Sequence, residues 1–175
     1  MPEQFRTRDC VIVKKGDTFT VAVSDRMVSG GWKGGQGVQY AYRGQDELLV
    51  DYSDGLYAGI LLWGSDEVSD QYTAMTRQQP TYRYAVIGCG GWIIMTQQYE
   101  RYTWWSRTHG GPLVPLTYTE SDRLVFSMRG LWTREDEWSL SGDPRAPNNY
   151  YIGFVAQVPT GVAPIYDYMT IQVSI

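Results

Sequence analysis

Histidine occurs once in this chain, at His109, and cysteine twice, at Cys10 and Cys89. That pair is too far apart for a CxxC motif, and one histidine cannot complete the usual nitrogen and sulfur ligand sets, so no zinc or redox-metal site and no other cofactor is expected. Two free thiols in a chain assembled in a cytoplasm are the expected state of the cysteines, the alternative being a single Cys10–Cys89 disulfide. Lysine is confined to Lys14, Lys15 and Lys33, and the net charge is −4. Nucleic-acid binding needs a basic surface that releases counterions, so that partner class is excluded. No segment approaches the roughly 18 apolar residues that a membrane-spanning helix needs. Residues 1–9 lack the apolar core of a signal peptide, so neither export nor a membrane is expected.

Catalytic signals are equally sparse. No nucleophile elbow is present, and His109 is followed by Gly110 and Gly111 rather than set in a triad motif. The glycine-dense run from Ser29 to Gly37 lacks the Gly-Lys-Ser/Thr ending of a phosphate loop. Asp51 with Asp54, and Asp66 with Asp70, show no EF-hand spacing and read as solvated turn residues. Glu135, Asp136 and Glu137 are contiguous, whereas glycosidases set two carboxylates across a cleft from separate elements. They read as a solvated loop, and the protein is expected not to be an enzyme.

What is plentiful is aromatic and glycine: fourteen Tyr, seven Trp and nineteen Gly among 175 residues. That balance favours pleated sheets joined by turns. Period-two alternation is plain in three C-terminal runs, where successive side chains of a half-buried strand point to opposite faces. Leu124, Phe126 and Met128 fall on one face. So do Tyr150, Ile152, Phe154, Ala156 and Val158, and likewise Met169, Ile171, Val173 and Ile175. Upstream, residues 10–24 read as a hairpin about Lys15-Gly16-Asp17, and residues 82–96 as a second hairpin about Gly88-Cys-Gly-Gly91. Leu48 to Tyr52 and Tyr57 to Trp63 are strands joined at Ser53-Asp54-Gly55, the second apolar throughout and hence buried on both faces. Ser65 could cap a helix running to Arg77. The reading is an all-β fold: residues 1–9 as an arm, then one domain over 10–175. That domain is a β-sandwich or flattened β-barrel of about eight to ten antiparallel strands with at most one short helix.

The order Phe126-Ser-Met-Arg, Gly130-Leu-Trp-Thr133, Tyr151-Ile-Gly-Phe-Val-Ala156 and a closing alternating strand resembles the last strands of decoration, or cement, proteins on the heads of tailed bacteriophages. The resemblance begins at Glu120 and does not extend upstream. It implies a virion structural protein on the capsid surface, made in the host cytoplasm. It also implies contacts with the major capsid protein or with further copies of the chain, in a trimer or dimer. Such contacts would come from the arm (Phe5, Arg6, Arg8), from an exposed Trp32 on the glycine-rich loop, and from Tyr99, Tyr102, Trp104 and Trp105 in the aromatic stretch up to His109. The alternative is a carbohydrate-binding β-sandwich stacking sugars on Trp32, Trp104, Trp105 and Trp138.

Overall fold

The computed structural model describes residues 10–43, 47–54, 58–62, 64, 84–88, 90–127, 129–140, 152–160 and 167–174. The arm with Phe5, Arg6 and Arg8, the helix expected over 65–77, and Cys89 lie outside them. Among the described residues eleven strands occur, in chain order: β1 (Cys10–Lys14), β2 (Thr18–Ala22), β3 (Gly37–Arg43), β4 (Glu47–Tyr52), β5 (Gly59–Leu61), β6 (Tyr84–Gly88), β7 (Ile93–Thr96), β8 (Arg123–Phe126), β9 (Trp132–Arg134), β10 (Gly153–Gln157) and β11 (Met169–Val173). They form a six-stranded sheet, ordered β1-β7-β11-β10-β8-β9, and a five-stranded sheet, ordered β2-β6-β5-β3-β4. Every ladder between them is antiparallel.

The all-β expectation holds; the helix count does not. Three six-residue helices occur among the described residues: α1 (Asp25–Gly30), α2 (Trp104–His109) and α3 (Glu135–Leu140). Each is too short to display the 3.6-residue apolar period by which a helix is read from sequence. Local chemistry starts them instead. Ser24 caps α1 by accepting from the Met27 amide, and Thr103 caps α2 by accepting from the Ser106 amide. Glu135, Asp136 and Glu137 form the first turn of α3 rather than a solvated loop. Carboxylates are favoured there by the positive end of the helix dipole.

Neither expected glycine hairpin forms. β1 pairs with β7 in one sheet, Cys10 opposite Thr96, while β2 pairs with β6 in the other, Thr18 opposite Gly88. The same two stretches of chain therefore stay paired on both sides of a bend. One long antiparallel ribbon folds over at Gly16 and about Gly88, Gly90 and Gly91, passing from the first sheet to the second. Corners of this kind let strands switch sheets around one core. The two bends touch. The Asp17 amide donates to the Gly90 carbonyl at 3.4 Å, and the Trp92 indole donates to the Asp17 carbonyl at 2.7 Å. A β-carbon on Gly16 would overlap the Gly90 carbonyl oxygen, so only glycine allows this crossing.

The turn after β4 is likewise not a hairpin. β4 pairs with β3 alone among the strands, and β5 inserts between β3 and β6. The reason is in β5 itself. Ala58, Ile60, Leu61 and Leu62 are all buried, as a strand apolar on both faces must be, and only the middle of the sheet covers both faces. Ile60 and Leu62 face the first sheet and share its core with Trp92, Ile94, Phe126 and Trp132. Leu61 faces the opposite way, into a second cluster with Met27 of α1, Trp32, Val38 and Val50. Trp32 is only 4% exposed. The glycine-rich loop thus folds its tryptophan inward, and the expectation of an exposed Trp32 is corrected.

The C-terminal strands carry most of the first sheet. In β11, Met169, Ile171 and Val173 are buried and Gln172 is exposed, as the alternation requires. Leu124 and Phe126 of β8 also enter the core. β10 departs from its expected face. Val155 is buried, Phe154 is half-buried and Ala156 is exposed, and the register shifts between Val155 and Gln157. Gly153 lies so close under the Gln172 carbonyl that a β-carbon would stand 2.6 Å from it. That contact and the bulge set which residues of β10 face inward.

Candidate protein-binding surface

The stretch from Tyr99 to Leu116 has little strand or helix of its own, yet its backbone is pinned to the core. The Trp132 amide donates to the Gln98 carbonyl at 3.0 Å, and the Glu100 amide donates to the Trp132 carbonyl at 2.7 Å. This segment therefore covers the β9 edge of the first sheet. The chain then forms α2 and turns at Gly110 and Gly111, whose φ angles are 73° and 88°. It returns alongside itself. The Thr103 amide donates to the Val114 carbonyl at 2.8 Å, the Leu116 amide to the Arg101 carbonyl at 2.9 Å, and the Val114 amide to the buried Ser106 hydroxyl at 3.1 Å.

This folding-back sorts the aromatic residues by depth. Tyr99 is buried in the core, its hydroxyl donating to the Asp167 carbonyl at 2.9 Å and its ring edge-on to Tyr118. Tyr102 is half-buried beneath the Arg107 guanidinium. Trp104 is half-buried, and its backbone amide donates to Glu137 Oε1 at 2.7 Å. Only Trp105 stands in solvent, 64% exposed. Its ring stacks on His109 one turn later, with centroids 3.4 Å apart and planes 16° from parallel. Leu113 and Val114, 50% and 51% exposed, lie on the returning limb of the same loop. Of the residues expected to contact a partner, the structure gathers Tyr99, Tyr102, Trp104 and Trp105 on one segment and places Trp32 in the separate core against α1.

Glu100 was not among the expected site residues, and it is the electrostatic centre of the segment. It is 5% exposed. Its Oε1 accepts from the Ser127 hydroxyl at 2.8 Å. Its Oε2 lies 3.4 Å from Arg107 Nε and 3.5 Å from Arg129 NH1, and no donor reaches it with hydrogen-bond geometry. One buried carboxylate thus serves two guanidinium groups, from α2 and from the turn before β9. Arg129 is distant in sequence, so no local pattern could have exposed the link. The available signal was a lone acid in an aromatic stretch.

Tyr118 donates to the Glu100 carbonyl at 2.6 Å. Burial pushes its phenol far above the ordinary tyrosine range, with Glu100 and Tyr99 adding to the shift, while a hydrogen bond with Thr133 and the charge of Arg134 oppose it. Burial raises Tyr99 as well. Both phenols should stay protonated in the folded protein when an unfolded chain would ionise near a pH of about 10. The sign follows: their contribution to stability is full below that pH and is lost as pH rises toward the folded values. A phenolate absorbance titration should show Tyr118 silent until the alkaline unfolding transition. Ionisation of every tyrosine before any unfolding would contradict this.

The geometry bears on other chemistries too. Adjacent residues on a helix project about 100° apart, and Trp104 and Trp105 accordingly occupy different environments rather than one stacking platform. The cleft beside Trp104, lined by Glu100, Tyr102, Arg107 and Glu137, holds about 10 Å³. That is room for about one water, not a sugar ring. Among the described residues no group of three or more His, Cys, Asp or Glu side chains could hold a metal ion. Asp51 is tied to Ser24, to Arg26 and to the Tyr52 amide. Cys10 is buried. No helix among the described residues is long and apolar enough to cross a membrane. No protein-family model, curated protein or solved structure matches the chain.

Proposed function

We propose that the chain is a virion structural protein of the decoration type. It would bind the outside of a tailed-phage head through the major capsid protein and stabilise the shell by protein–protein contacts, including contacts with copies of itself. The observation that supports a protein-binding role is the exposed Trp105–His109 stack, on a segment that also exposes Leu113 and Val114. Single exposed apolar residues need no explanation. An exposed tryptophan, on a segment hydrogen-bonded into the core that exposes two further aliphatic side chains, has the composition and rigidity of an interface anchor. The phage-head assignment rests on the sequence resemblance of the closing strands, and the β scaffold is compatible with it.

The test is co-sedimentation of the purified protein with heads that lack it. The wild-type protein should pellet with the heads. Trp105→Ala should bind about tenfold more weakly, the size of a moderate hot spot. Its thermal midpoint should stay unchanged, because the side chain is in solvent. Equal pelleting by the variant would remove Trp105 from the contact, and no pelleting of the wild type would remove the head as the partner.

A further inference from the structure

We infer that His109 carries its ring proton on Nδ1, and that the exposed Trp105–His109 stack therefore reads an uncharged amide group of a partner protein. His109 Nε2 accepts from that group and the Trp105 indole donates to it. The inference rests on the protein-binding reading above and names the chemical group that this site recognises.

The tautomer follows from the neighbours of Nδ1. His109 closes α2 four residues after Trp105, so the two side chains meet on one face of the helix. Its Nδ1 lies 3.1 Å from the Trp105 carbonyl oxygen, which can only accept. It also lies 2.9 Å from the Thr108 hydroxyl oxygen. That hydroxyl has a single proton, and it donates to the Trp104 carbonyl at 2.9 Å. An unprotonated Nδ1 would set its lone pair against the Trp105 carbonyl. A protonated Nδ1 donates to that carbonyl and caps the helix end, as basic residues of a last turn do. In the neutral ring the one proton is then on Nδ1, and Nε2 is an acceptor.

Two groups of the stack remain unused. No donor among the described residues reaches His109 Nε2, and no acceptor takes the Trp105 indole N–H. The near-parallel stack restrains both rings, so an arriving group finds them already ordered. The other cation of α2, Arg107, is paired with Glu100 and adds no unbalanced charge. A carboxylate has no proton for Nε2, and an ammonium group cannot accept from the indole. A peptide group, or the carboxamide of Asn or Gln, does both. A sugar hydroxyl also does both, but the exposed Leu113 and Val114 on the same segment call for apolar surface around that group, which a protein supplies.

His109 is the only histidine, so nitrogen NMR of the labelled full-length protein reports on this ring alone. At a pH of about 8.5, above the ordinary histidine range, Nδ1 should be the protonated nitrogen. N-methylacetamide, titrated as the probe, should then shift the Nε2 and Trp105 indole resonances together, and sodium acetate should not. Heads lacking the protein supply the second measurement. His109→Phe keeps a flat ring beside Trp105 but offers no acceptor, and should bind heads about tenfold more weakly. His109→Gln gives up the ring but restores a side-chain oxygen, and should recover part of that loss.

A neutral ring protonated on Nε2 would overturn the inference, as would head binding that His109→Phe leaves unchanged. A His109→Gln variant no better than His109→Phe would make the histidine packing for Trp105 rather than an acceptor. A response to methyl glucoside in place of N-methylacetamide would assign the stack to sugar and overturn the amide. The amide response without head binding would sink the phage-head reading alone. Head binding with Nε2 protonated would sink the inference alone.

Discussion

Trp132→Ala is expected to cost about 4–5 kcal/mol, a large fraction of the stability of a domain of this size. Trp132 is fully buried and packs against Phe126 with ring centroids 4.5 Å apart. Its indole donates to the Gly35 carbonyl at 2.9 Å, so one side chain ties the first sheet to the glycine-rich loop. Its backbone pins residues 98 and 100 along the sheet edge. Truncation would open a cavity of indole size and strand a buried carbonyl, and both losses add to the transfer term. Trp132→Phe should recover most of the packing but not the hydrogen bond, and should cost about 1–3 kcal/mol. Urea denaturation followed by circular dichroism would measure both. An alanine variant within about 2 kcal/mol of the wild type would mean that the first sheet and the glycine-rich loop are not held together through this residue.

Gly16→Ala is the second large effect, expected at about 3 kcal/mol for one added methyl group. The new carbon would collide with the Gly90 carbonyl and crowd Trp92 at 2.8 Å. Backbone cannot rotate away as a side chain can, so the ribbon corner must open. That would stretch the bonds from the Asp17 amide to Gly90 and from Trp92 to Asp17. Gly91→Ala separates crowding from backbone conformation. Gly91 has a φ of +79° but an open surround, its nearest atom 3.7 Å from an added β-carbon. It should cost only about 1 kcal/mol, the strain of a left-handed residue. Equal costs at the two positions would show that the corner is limited by torsion rather than by contact.

These two sites also mark how far the sequence could be read. The alternation of Met169, Ile171 and Val173 is a local property: each side chain's face follows from its neighbours in the chain, and the structure keeps it. The double-sided burial of residues 58–62 was legible for the same reason. The glycines at 16 and 88–91 were legible as breaks but not as corners. A hairpin and a sheet-switching bend call for the same permissive residues, and what separates them is which strand waits on the far side.

Aromatic density between Tyr99 and His109 marked the segment that carries the candidate surface. It could not separate Tyr99, sunk in the core, from Trp105 in solvent, nor place Trp32 behind α1. Exposure depends on what else packs nearby. The sequence by itself determined an all-β chain, the inward face of its last strand and a glycine-jointed layout, because strand period and turn chemistry act over a few residues. Tertiary structure alone decided the pairing order of the two sheets, the burial of Trp32 and the meeting of Arg107 and Arg129 at Glu100. Those outcomes depend on contacts between residues distant in the chain, and local propensity carries no record of them.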